Sequence, residues 1–167
     1  MLGSFIDFSA YWMAVERWQH GASLYGTQDF GVMEQIGLES FWRYLYPPTT
    51  VLLFYGYQLF PYTVSATLWG VTTAGFLWFA TTVLLDEYIE MTWIRHAILA
   101  PVVFFFQPVW NAFTLGQITP LLAGFITFSA VAMERSHRNG AHAFVGVGAA
   151  LASFVKPTIA PSGAVLL

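Results

Sequence analysis

Tyr44 to Leu85 reads YLYPPTTVLLFYGYQLFPYTVSATLWGVTTAGFLWFATTVLL, 42 residues without one Asp, Glu, Lys or Arg. A typical soluble domain is about 25% charged, so an uncharged run of this length points to lipid. Two elements fit within it. Pro47 and Pro48 open a first helix that closes near Pro61; proline is tolerated in a first turn, where its missing N–H has no partner to lose. A second element covers Val64–Leu85, 22 residues, enough for a hydrocarbon core of about 30 Å. The stretch Thr49–Phe60 reaches only about 18 Å at the rise of an α-helix. The region 47–61 is therefore expected to be a juxtamembrane half-helix, not a full span.

The rest of the chain agrees with that environment. Hydrophobic residues are 57% of the 167 and charged residues 9%, too few charges to cover a soluble surface. The seven Trp and eight Tyr gather near the ends of apolar runs, as rings with a polar tip do at lipid–water interfaces. A net charge of -3 excludes nucleic acid as a partner, which would need a basic patch. The absence of cysteine excludes thiol catalysis, disulfides and Cys-based metal sites.

Beyond Leu85 comes a polar loop, Asp86 to Arg95, and then the charge-free run Ala97–Met133. That run holds two expected spans, 96–112 and 118–133, with NAFTLGQIT (Asn111–Thr119) as the turn between them. Glu134–Gly140 is another loop. A further span, 140–155, is lined by Gly146, Gly148, Ala149, Ala150 and Ala152, small residues that allow close helix contact, and it ends at Lys156-Pro157. Toward the N-terminus, DFSAYWMAVERWQH (Asp7–His20) places Phe8, Tyr11, Trp12, Val15 and Trp18 at three- and four-residue steps, with Ser9, Glu16, Arg17 and His20 elsewhere. This predicts an amphipathic helix stopped by Gly21, too polar to span and suited to the membrane surface. The alternative is a surface helix packed on a neighbouring domain. Residues 7–43 then form one outer loop. Met1–Ile6 is too short for a signal peptide, and the segment 158–167 breaks off inside an apolar run. The expectation is an all-α, polytopic transmembrane helical bundle, one membrane domain over 1–167 truncated at both ends.

Arg95, Arg135 and Arg138 flank the loops after Leu85 and Met133, which the positive-inside rule assigns to the cytoplasm. If 47–61 does not cross, Asp7, Tyr46, Gln117 and Lys156 share the outer face; if it crosses, Asp7 lies opposite Gln117 and Lys156. Asp7 opens a helix, and an N-cap explains it by local pattern alone. Lys156 ends a helix as a snorkelling anchor would, or as a point charge for a phosphate. Together with Tyr11, Tyr25 and the Gln117 amide they make an acid–base and anion-binding set.

The order Asp7-Phe8…Tyr11…Ala14…Gly21…Leu24-Tyr25, then Tyr46-Pro47-Pro48, Gly116-Gln117 and Lys156-Pro157 resembles glycosyltransferase family 87, membrane enzymes of the GT-C type. The resemblance implies a transferase that takes a hexose, such as mannose, from a polyprenyl-phosphate donor and passes it to a glycan or glycolipid hydroxyl. It implies a multi-pass protein of the plasma membrane among membrane lipids, with its active face extracytoplasmic. Asp7 matches the first-outer-loop Asp that acts as general base, with Tyr11, Tyr46, Gln117 and Lys156 as substrate-binding residues. Some GT-C relatives use a divalent cation, so metal dependence stays open, although Asp7, Glu16 and four scattered His show no H-E-x-x-H spacing. The family carries a helix before its Asp and several after its Lys, which this chain lacks, so the fragment's own activity is open. Two other readings stand beside it: a transporter or lipid flippase with Lys156 and Gln117 in its site, and a non-catalytic membrane subunit.

Overall fold

The computed structural model describes residues 5–27, 31, 34, 43–90 and 92–135. All regular structure among the described residues is helical. In chain order the elements are α1 (Ile6–Gln19), α2 (Thr50–Tyr55) running into a 3-10 turn (Gly56–Leu59), α3 (Tyr62–Asp86), α4 (Trp93–Phe105), α5 (Gln107–Leu115) and α6 (Thr119–Arg135). The expected span 140–155, the segment 158–167 and Lys156 lie outside the described residues.

The chain divides into two compact units, Met1–Val71 with Phe113–Gln117, and Thr72–Ala112 with Ile118–Leu167. In the first unit α1 departs from its expected character. Every residue from Phe8 to Val15 is buried, and so is Arg17. The helix is therefore encased rather than amphipathic. Two of its buried polar side chains bond locally: the Ser9 hydroxyl donates to the Ile6 carbonyl at 2.6 Å, and Arg17 Nη1 donates to the Leu24 carbonyl at 3.4 Å. A buried guanidinium loses strong hydration and persists only with such partners. Gly21 does end the helix. Its φ is +68°; its N–H bonds the Trp18 carbonyl at 3.0 Å, and the Ala22 N–H bonds that of Arg17 at 2.8 Å, the paired pattern of a left-handed helix stop.

What encases α1 is aromatic. The Phe8 ring lies 5.8–6.3 Å from those of Trp12, Phe54, Tyr57, Tyr62 and Trp69. Tyr11 stacks on Phe54 at 4.3 Å. Each such pair adds roughly 0.5–1.5 kcal/mol beyond area burial. Long-range hydrogen bonds fix the register: Gln58 Nε2 donates to the Trp12 carbonyl at 2.9 Å, and Trp69 Nε1 to that of Gly116 at 3.0 Å.

In the second unit, the later turns of α3 pack on α6. Phe76 and Phe125 lie 4.6 Å apart and Phe79 and Phe128 6.1 Å. Trp78 meets His96 and Phe104 of α4. The outward residues Phe79, Ile98, Val102 and Phe105 are exposed and apolar, a surface suited to lipid. Threonines along α3 return their hydroxyls to its own carbonyls, as Thr67 does to Thr63 and Thr81 to Leu77, both at 2.8 Å, which removes the need for water.

α3 is the one described helix long and apolar enough to cross a membrane, and α4 with α5 makes a second candidate if the two are one bent span. They meet at 67°. Where the sequence reading placed one span over 96–112, the chain breaks at Phe106, which is extended. Pro108 supplies the reason: a continuous helix would need a Pro108 N–H for the Phe104 carbonyl and would drive the proline ring into it. α5 also continues to Leu115, so the turn expected over Asn111–Thr119 shrinks to residues 116–118. α6 contributes a shorter apolar stretch, Thr119–Val131. Over the described residues the expected bundle is thus all-helical with one or two candidate spans.

Candidate functional site

The head of α1 gathers the unusual polar residues of the first unit. Phe5 precedes the helix without a side-chain cap, so Asp7 is not the N-cap but the acidic residue of the first turn. Its place is in the first turn of a 14-residue helix, whose positive end favours a negative charge. The side chain is half-buried.

One turn on, Tyr11 is buried and points its ring at Tyr46, with centroids 5.1 Å apart and the planes at 74°. Tyr46 is half-buried. Burial raises its phenol pKa above the ordinary range; a hydrogen bond with Tyr11 pulls the other way, and the nearby Asp7 carboxylate raises it again. Burial first, and then the field of Asp7, keep the Tyr46 phenol at the head of α1 a neutral hydroxyl at physiological pH.

The Tyr46 segment is itself pinned. Pro47 and Pro48 have no N–H, so its backbone is held through carbonyls. The Tyr25 hydroxyl donates to the Tyr46 carbonyl at 3.0 Å, and the Tyr44 hydroxyl to that of Pro47 at 2.8 Å. Tyr44 is fully buried and its pKa is driven upward, first by burial.

Gly116 closes the other side. With φ at +70°, a Cβ here would lie 2.8 Å from Phe5 Cδ1 and 2.9 Å from Phe8 Cβ. The backbone therefore touches the first turn of α1, flanking Asp7, and carries the half-buried Gln117 with it. Four of the expected site residues, Asp7, Tyr11, Tyr46 and Gln117, thus belong to one compact unit; the Tyr46 ring lies against that of Tyr11 and its phenol is within the field of Asp7. Lys156 lies outside the described residues. Among the described residues no three His, Asp or Glu side chains come together as a metal site.

Sequence reasoning passed over Trp69 and Arg17. Trp69 stood in an uncharged run with no polar neighbour to mark it, yet its indole fixes Gly116. Arg17 was assigned to a solvated face; the glycine stop that turns the chain back over it was the available signal.

Neither a curated protein nor a solved structure gives a significant match to this chain. The model of glycosyltransferase family 87 matches residues 44–167. Tyr46, Gly116-Gln117 and Lys156-Pro157 fall inside that segment and Asp7 precedes it. The match takes in well over half of the sequence, and the chain belongs to glycosyltransferase family 87.

Proposed function

We propose that this glycosyltransferase moves a hexose, such as mannose, from a polyprenyl-phosphate donor to a glycan or glycolipid hydroxyl on the extracytoplasmic face of the plasma membrane, with Asp7 as the general base. The Tyr46 phenol, packed against Tyr11 and within the field of Asp7 at the head of α1, carries this reading. A hydroxyl is a poor nucleophile until its proton is taken. Asp7 accepts that proton as the acceptor oxygen bonds the anomeric carbon. The bond from that carbon to the phosphate oxygen breaks, and the lipid phosphate leaves with the electron pair.

The surroundings suit each part. A carboxylate is favoured at the positive end of a helix, where Asp7 stands, and a carboxylate is the proton acceptor the step needs. Tyr46 and Tyr11 give a neutral, partly apolar wall with a hydroxyl for the sugar. Gln117 is placed by Gly116 on the same unit as a hydrogen-bond partner. Charge developing on the leaving phosphate needs a cation or aligned dipoles, and Lys156, inside the family-matched segment, is assigned that role.

The test is transfer of radiolabelled hexose from polyprenyl-phosphomannose, and from the corresponding glucose donor, by full-length protein in membranes. Asp7→Asn and Asp7→Ala are expected to lower transfer by about 10²–10⁴-fold, the usual contribution of a positioned base, with expression unchanged. Transfer by Asp7→Ala at the wild-type rate overturns the assignment.

A further inference from the structure

Tyr25 has a role that the reaction as described leaves unused. Its ring is 48% exposed, a setting in which a tyrosine side chain ordinarily moves freely, yet its hydroxyl is tied to the Tyr46 carbonyl at 3.0 Å across 21 positions of sequence. The segment that delivers it is built for the purpose. Gly21 reverses the chain at the end of α1, and the Gly26 N–H closes a turn onto the Ser23 carbonyl at 3.0 Å. The buried Arg17 guanidinium holds the carbonyl of Leu24, the residue immediately before Tyr25. The Tyr25 ring also lies 5.8 Å from that of Tyr44, whose hydroxyl holds the next carbonyl along, that of Pro47.

These contacts form a closed circuit. It leaves the C-terminal end of α1 through Arg17 and Leu24, crosses by Tyr25 to Tyr46, and returns by Tyr11 to the N-terminal half of α1. Tyr46 precedes proline, which already confines its backbone to extended conformations. The remaining freedom is a rotation of the segment toward or away from α1, and the Tyr25 bond opposes it. We propose that Tyr25, anchored by Arg17, is a positioning residue for transfer, holding the Tyr46 phenol against the Tyr11 ring at the end of α1 that carries Asp7. The proposal rests on the reading of Asp7 as the base.

These 167 residues contain no cysteine, so with any cysteine elsewhere in the full-length protein replaced by serine, Tyr46→Cys is a single labelling site. In full-length protein in membranes, Tyr25→Phe is expected to speed maleimide labelling of that site about fivefold, the worth of one released hydrogen bond. Unchanged labelling overturns the proposal. In the transfer assay, with polyprenyl-phosphomannose as donor and octyl mannoside as acceptor, Tyr25→Phe is expected to lower kcat about fivefold while the KM for donor stays within about twofold. In a Tyr46→Ala background the same change costs nothing further, because both act through one contact. A full, additive loss there, or wild-type kcat for Tyr25→Phe alone, also overturns it. If Asp7→Asn transfers normally, the base assignment fails, whereas the labelling result still decides the strap.

Discussion

At the scale of single residues, two glycines with nearly equal φ do different work. Gly21 has open space where a Cβ would stand, and only its left-handed backbone favours glycine; Gly116 has the same backbone and is also hemmed in by Phe5 and Phe8. Gly116→Ala therefore adds a collision to the strain, and a loss of about 2–4 kcal/mol is expected. Thermal unfolding in detergent measures it, and wild-type melting would show that Phe5 and Phe8 can yield. The sequence marked Gly116-Gln117 as a pair of interest because an amide in an apolar run stands out. It did not say why glycine must come first. That depends on a contact with residues more than a hundred positions earlier, which no local pattern carries. Asp7 was legible for the same reason as Gln117, its polarity, and its displacement from cap to first turn shows the limit of reading helix starts from composition.

At the scale of helices, the positions of α1, α2, α3 and α6 were legible because apolar runs, prolines and Gly21 punctuate them. The character of α1 was not. Polar residues at Ser9 and Arg17 implied a wet face, but a hydroxyl can return to its own helix and a guanidinium can find a carbonyl seven residues on. Side-chain polarity reports that a partner is needed, not whether water supplies it. The break at Phe106 had its cause written at Pro108, but length alone suggested one continuous span. Contact between α3 and α6 is similarly specific. A Cβ on Gly124 would lie 2.7 Å from Phe76 Cδ1 and 3.4 Å from the Phe76 carbonyl. Gly124→Ala is expected to destabilise by about 1–3 kcal/mol, and Phe76→Leu in the same protein to recover most of that loss. Independent, additive losses in a double-mutant melting series would refute the contact.

At the scale of the whole molecule, the proposed reaction requires Asp7 and Gln117 to face the outside. Single cysteines test this, and burial decides where they go. Ser9 is fully buried and would not label from either side, whereas Thr27 is exposed and Thr119, next to the Gly116 turn, is half-buried. Cysteines at Thr27 and Thr119 are both expected to react with a membrane-impermeant maleimide on intact cells. Labelling of one only after lysis would place the two on opposite faces and remove the shared outer site.

The bond from Trp69 to Gly116 also sets an order of events in time. The unit that holds Asp7 is assembled from the beginning of the described chain, its middle and the short piece Phe113–Gln117. A ribosome releases those parts in sequence, so Asp7 and Tyr46 are outside the exit tunnel well before the glycine that packs on Phe5 and Phe8. Until then the first turn of α1 lacks its cover and the Trp69 indole lacks its acceptor. The first turn of α1 is thus made early and covered late, after α3, the helix long enough to cross the bilayer, has already emerged.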